Sequence, residues 1–286
     1  MKLRIKFRKY GAVRYIGHLD VMRFFQKAIR RAGIDVKYSS GFSPHQIMTF
    51  AAPLGVGITS NGEYMDIEVN SLQTVASFES AAGEEGVESG YSVEEELSVE
   101  GRLSMEERLS TEGKLSTKEE CFLEECCRNI RNRLNEASVS GIEIVSVKVL
   151  PDTAGNAMAS VVAASYTIRF RKGREPLADM AAILPGFLAK DQILVTKKTK
   201  KGVREIDLKE GIFRLTWTGE ALTMLLDTSS SGNIKPVQVA ETLLAQQGES
   251  LQENALWVTR EDVYTRTEDG RLISLDEIGA PHSGQA

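Results

Sequence analysis

The chain has 286 residues, 42% of them hydrophobic and 26% charged, with a formal net charge of −5. That length exceeds one ordinary core, so two domains are expected. No apolar run reaches the roughly 18–20 residues of a membrane span, three cysteines make no disulfide framework, and "MKLRIKFRKYGAVRY" lacks a signal peptide's apolar core.

A cytoplasmic protein with reduced thiols, away from any membrane, is the expectation. The net charge conceals a division along the chain. Residues 1–50 carry eleven Lys/Arg against two acids, whereas residues 79–125 carry fifteen Asp/Glu against four Lys/Arg. Attraction to a polyanion follows the local potential, which decays over a Debye length of about 8 Å at physiological salt. The N-terminal region is therefore where an anionic partner is expected.

In chain order, "KLRIKFRK" (Lys2–Lys9) alternates, with Leu3, Ile5 and Phe7 on one face of a strand. "HLDVMRFFQKAIRRAG" sets Leu19, Met22, Phe25, Ile29 and Ala32 at helical spacing, and Gly33 stops the helix. "IDVKY" and "QIMTFAAPL" read as further strands, and "EYMDIEV" as a fourth strand or a continuation. Strand, helix, strand, strand opens a ferredoxin-like half, which the helix "KEECFLEECCRNIRNRLNEAS" and the strand "GIEIVSVKVL" complete. Between them, six-residue units begin at Leu97, Leu103, Leu109 and Leu115. Leucines six apart lie about 600° around a helix and make no stripe. A poorly packed, low-complexity acidic insertion over about residues 77–120 is expected.

The second half repeats the logic. "SVVAASYTIRFRK" reads as a strand, and "EPLADMAAILPGFLAK" as a helix bent or interrupted at Pro185-Gly186. "QILVTKKTKKGVREIDL" is a hairpin, and "IFRLTW" and "ALTMLLDT" form a strand pair. "KPVQVAETLLAQQG" is a helix with Pro236 in its first turn, and "ALWVTREDVYTR" a last strand. The expected class is α+β: two ferredoxin-like (RRM-like) lobes in tandem. They occupy residues 1–150 and 157–275, with a tail at 276–286.

The candidate anion site combines the turn "SSGFSPH" (Ser39–His45) with the first helix. Gly41 permits a positive φ and Pro44 fixes its own, so backbone N–H groups and the hydroxyls of Ser39, Ser40 and Ser43 can line a concavity. Arg23, Lys27, Arg30 and Arg31 add a basic helix face at i, i+4, i+7 and i+8. His45 either contacts the ligand or caps the turn, and the whole basic face can equally be plain solvated surface. A basic hairpin carrying Lys197, Lys198, Lys200, Lys201 and Arg204 is a second polyanion contact, or a solubilising turn. Tyr10, Tyr15, Phe24 and Phe42 are available to stack on bases, although Phe24 suits the core equally.

Some chemistry is excluded. The spacing of Cys121, Cys126 and Cys127 fits neither zinc ligation nor a radical-SAM iron–sulfur cluster, and no phosphate-loop, dinucleotide or nucleophile-elbow motif occurs. No metal or cofactor is expected. The one conceivable acid–base set is His18 with His45, oriented by Asp20.

Arg14–Val69 resembles a bacterial family of unknown function, the radical-SAM-linked proteins. The resemblance is carried by Gly17-His18-Leu19-Asp20, Arg30-Arg31-Ala32, Ser40-Gly41-Phe42-Ser43-Pro44-His45, Pro53-Leu54-Gly55-Val56-Gly57 and Glu63-Tyr64-Met65-Asp66. It extends less distinctly through "TKKTKKGVREIDL" and the C-terminal half, and the segment at 77–120 departs from it. The resemblance implies a partner, a cobalamin-binding radical SAM protein, and brings no catalytic residues. The expected function is thus a non-catalytic accessory or substrate adaptor for that enzyme, binding RNA or a ribonucleoprotein through the basic N-terminal lobe. The alternatives are a metal-independent RNA-processing enzyme using His18 and His45, and a protein–protein scaffold.

Overall fold

Alternation along β1 (Lys2–Lys9) buries Leu3, Ile5 and Phe7 on one side of a sheet and turns Arg4 and Lys6 to the other. The computed structural model describes residues 1–72, 117–199, 202–230 and 232–279. The expected insertion at 77–120 lies outside these, except for its last residues, which open a helix.

After β1 come α1 (His18–Arg31), β2 (Met48–Phe50), β3 (Thr59–Glu68), α2 (Thr117–Glu136) and β4 (Ile142–Leu150). The second half supplies the one-turn helix α3 (Ala157–Ser160), β5 (Ala163–Phe170), α4 (Met180–Leu188), the hairpin β6 (Leu194–Thr199) and β7 (Gly202–Asp207), and β8 (Ile212–Trp217). It ends with β9 (Ala221–Asp227), α5 (Pro236–Ala245), β10 (Leu256–Arg266) and β11 (Leu272–Ser274). The class is mixed α+β, dominated by one large mixed sheet. No helix among the described residues is long and apolar enough to cross a membrane.

The sheet runs β4-β1-β3-β10-β5-β9-β8, with β2 beside β3 and β11 beside β10. The two halves follow matching paths, β4-β1-β3-β2 in the first and β10-β5-β9-β8 in the second, with the hairpin β6-β7 forming a separate two-stranded sheet. One short parallel pairing, Thr59 with Thr259 and Ser60 with Arg260, joins the halves. Gly62 permits that approach, since a Cβ there would lie 2.7 Å from the Glu261 carbonyl oxygen. Two hydrophobic cores result. One gathers Leu3, Phe25, Ile29, Met65, Leu123 and Ile130, the other Ile168, Phe187, Leu222, Leu226, Val239 and Leu243.

Two expected strands are shorter than the sequence pattern suggests. "IDVKY" contributes only the bridges Val36–Val69 and Tyr38–Gln46, and "QIMTFAAPL" only Met48–Phe50. The Gly-Ser-Pro turn between them and Pro53 after them remove the ladder positions that longer pairing needs. Helix α4 starts at Met180, where the Asp179 carboxylate accepts from the N–H groups of Ala181 and Ala182. It then runs through Pro185 to Leu188.

The charged side of β1 is covered by the C-terminal segment. Arg4 forms a two-pronged pair with Asp66, Nε 2.8 Å from Oδ1, and also donates to the Leu275 carbonyl. Tyr64 donates its hydroxyl to Asp262 and lies 3.0 Å from Ser274 Oγ. Burial first, then the charge on Asp262, raises the Tyr64 pKa and keeps the phenol protonated. Residue 276, expected to begin a tail, is instead packed: Ser146 donates to the Asp276 carboxylate at 2.6 Å, and Leu275 is fully buried. Residues 280–286 lie outside the described residues.

Candidate nucleic-acid interface

Helix α1 follows Gly17 at its N-cap, carries Asp20 in its first turn and Arg30 and Arg31 in its last, a charge order that suits the helix dipole. Gly33, at φ +61°, ends it. Val21, Phe25, Ala28 and Ile29 are buried; full burial of a side chain such as Phe25 or Ile29 contributes about 1.5–3 kcal/mol. That burial fixes the helix rotation, so Arg23, Lys27, Arg30 and Arg31 all face solvent. Arg23 lies 3.4 Å from Asp20, an exposed pair that contributes little. Arg31 donates to the Ala137 carbonyl at 2.6 Å. Lys27 and Arg30 pair with no carboxylate among the described residues.

The turn at Ser39–His45 closes on itself. The Ser39 N–H donates to the His45 carbonyl at 2.8 Å, the His45 N–H donates to Ser39 Oγ at 3.1 Å, and that hydroxyl lies 2.8 Å from His45 Nδ1. Gly41 takes φ +115°, as a turn with a left-handed residue requires. Ser40, Gly41, Ser43 and His45 are exposed, and Phe42 at the tip is entirely exposed. The base of the turn meets α1, where the buried Gln46 donates its amide to the Gln26 carbonyl at 3.3 Å. Helix and turn are thus neighbours, with the turn residues on an open surface and the His45 ring engaged by Ser39.

Each member of the acid–base set has a neighbour of its own. The His18 ring stands edge-on to Phe50 with centroids 5.0 Å apart, His45 is held by Ser39, and Asp20 pairs with Arg23. Among the described residues no hydrogen bond joins the two imidazoles. In the hairpin, Lys198 sits in β6 opposite Val203, while Lys200 and Lys201 lie outside the described residues. Phe24 packs against Phe25 at 5.2 Å and belongs with the core; Tyr10 and Tyr15 are exposed.

A further cationic and aromatic cluster escapes any reading of neighbouring residues. The Arg14 guanidinium lies 4.6 Å from the Tyr15 ring and 4.0 Å from the Trp257 ring, and the Arg171 guanidinium also lies 4.0 Å from Trp257. Arg14 donates to the Tyr15 hydroxyl at 2.7 Å, and that bond lowers the Tyr15 pKa. Neither arginine pairs with a carboxylate among the described residues. Stacking of this kind contributes about 0.5–2 kcal/mol and leaves the guanidinium edge able to meet a phosphate. Arg14, Arg171 and Trp257 are remote in sequence, and they meet because β10 brings the second half against the first.

Of the three cysteines, Cys121 is exposed, while Cys126 and Cys127 are buried in α2. Burial pushes the two buried thiols up to about 11 and about 12.

A search of the curated proteins finds no match to the chain. The sequence pattern of one bacterial family matches residues 2–96 and 102–236, ranges that take in most of the segment expected to depart from a family pattern. With the greater part of its length matched, the chain belongs to the family described as an uncharacterized protein conserved in bacteria (DUF2344).

Proposed function

We propose that the protein is a non-catalytic accessory protein, a substrate adaptor that binds RNA or a ribonucleoprotein and presents it to a cobalamin-binding radical SAM protein in the cytoplasm. The observation that carries the RNA part is the solvent-facing row Arg23, Lys27 and Arg30 on α1, where only Arg23 has a described carboxylate neighbour. Exposed Phe42, on the turn tied to the same helix, and the Arg14–Trp257–Arg171 cluster add stacking surface to that charge. The radical SAM part rests on the resemblance carried by Arg14–Val69.

The repeated strand path supports reading each half as a ferredoxin-like lobe. RNA-binding lobes of the RRM kind stack bases on the open face of the sheet. Here the C-terminal segment lies over part of that face, through Leu275 and Asp276. Contact through α1 and its neighbouring turn is therefore favoured, with phosphates as the main target and little sequence readout. The adaptor reading is preferred to the enzyme reading because His18, His45 and Asp20 each engage another side chain, Phe50, Ser39 and Arg23.

The test has two arms. Co-purification of the full chain with a radical SAM protein encoded beside it should yield a stable complex, and its failure removes the adaptor reading. Filter binding to single-stranded RNA should give log K falling with log salt at a slope of about −0.7 per phosphate contacted. A flat response removes the RNA reading.

A further inference from the structure

Away from the α1 face, the turn Ala51–Ile58, the loop after β9 and the first turn of α5 enclose a cavity of about 560 Å³, with Arg260 and Tyr166 buried in its lining. Small-molecule sites span roughly 300–1,000 Å³. Leu54, Ile58 and Val161 make an apolar side; Ser230, Asn233 and Lys235 make a polar one. The turn contains Pro53-Leu54-Gly55-Val56-Gly57, a stretch that the α1 surface leaves without a role.

Charge in and behind this cavity is unbalanced. Arg260, Glu63 and Lys9 are 3%, 5% and 2% exposed. Glu63 is fully occupied by Arg260, which takes both its oxygens, while Lys9 Nζ donates to the Ile16 carbonyl at 2.8 Å. Two buried cations thus share one carboxylate. Burial pushes the Lys9 pKa down, Glu63 opposes that, and Arg260 adds to it. Burial likewise opposes the Arg260 charge, and Glu63 and Tyr166 more than offset it, so the guanidinium stays charged. Exposed Lys235 adds a cation at the cavity wall, and the Asp227 carboxylate, which accepts from the Ser229 N–H, adds one negative charge to the loop after β9.

Donors without acceptors line the same space. Thr228 Oγ1 is buried there and has no hydrogen-bond partner among the described residues. Helix α5 begins at this wall with Pro236 in its first turn and, among the described residues, no side-chain cap, so its first N–H groups are left to other acceptors.

We propose that this cavity binds a small organic phosphomonoester. Its phosphate sits toward Arg260, Lys235 and the start of α5, and its apolar body lies against Leu54, Ile58 and Val161. A phosphate suits the two cations of the lining, Arg260 and Lys235, and its three oxygens can accept from the guanidinium, the hydroxyls and the helix N–H groups together. The site is independent of the RNA reading, because it uses none of the α1 cations.

Calorimetric titration of the full chain with phenyl phosphate, with phenol as the neutral control, tests it. Phenyl phosphate should bind saturably and raise the thermal unfolding midpoint, and phenol should do neither. Lys235→Glu changes an exposed side chain and should weaken phenyl phosphate about tenfold or more. Arg260→Lys should abolish binding if the variant folds, and Lys235→Glu decides the matter if it does not. Arg23→Gln/Lys27→Gln/Arg30→Gln should leave the affinity unchanged. Absence of saturable binding, equal binding of phenol, an unaffected Lys235→Glu variant, or loss of affinity in the α1 triple variant would each overturn the site.

Discussion

Arg260 and Glu63, 197 residues apart in the chain, form a two-pronged ion pair between β10 and β3, with Nε 2.8 Å from Oε1. The same guanidinium donates to the Ala52 carbonyl at 2.5 Å, so one side chain ties the second half to two segments of the first. A buried pair is close to break-even against desolvation, but loss of one partner strands the other charge. Glu63→Gln should therefore lower stability by about 3–5 kcal/mol, read from urea unfolding. A loss below about 1 kcal/mol would mean that water reaches Arg260 after the change.

Gly62 stands where the two halves touch. A Cβ would meet the Glu261 carbonyl oxygen at 2.7 Å and Asp262 Cα at 2.9 Å, both backbone atoms that cannot swing aside. Gly62→Ala should destabilise by about 1–3 kcal/mol through overpacking. An unchanged thermal midpoint would show that β3 and β10 separate easily.

Leu275 is fully buried, and its carbonyl accepts from Arg4, which fastens the C-terminal segment over β1. Leu275→Ala should cost about 2–5 kcal/mol in chemical denaturation. If the cost is negligible, the segment is a loose cover and the sheet face beneath it is open to a ligand.

On α1, Arg23→Gln/Lys27→Gln/Arg30→Gln removes three exposed cations without touching the buried face. Should each meet a phosphate, the salt slope of single-stranded RNA binding becomes shallower by about 2. An unchanged slope would move the contact elsewhere on the molecule.

Thiol accessibility separates the three cysteines. At about pH 8 the native protein should take up one equivalent of a thiol reagent, at Cys121, and the unfolded chain three. Raising the pH toward 10 should not recruit Cys126 or Cys127, whose thiols are held up to about 11 and about 12. Rapid native labelling of all three would mean that α2 opens readily.

Legibility in the sequence tracks how local the cause is. Leu3, Ile5 and Phe7 announce β1, and Phe25 and Ile29 announce the buried side of α1, because period and neighbour decide both. The exposure of Arg23, Lys27 and Arg30 follows from the same helical period. "IDVKY" has the composition of a strand, yet its neighbours in space leave it only single bridges. Leu272–Ser274 carries too few residues to signal a strand, and it forms one by adding to β10.

The amino-acid order by itself determined the mixed α+β character, the repeated run of elements, the basic N-terminal face and the punctuation by Gly33 and Gly41, since each depends on residues within a few positions. Only the tertiary structure decided that both halves share one sheet, that Arg14 meets Trp257, and that Lys9 and Arg260 compete for Glu63 beside a cavity. Those relationships join residues as distant in the chain as Arg14 and Trp257, where no periodicity reaches and only packing and the cost of buried charge choose the partner.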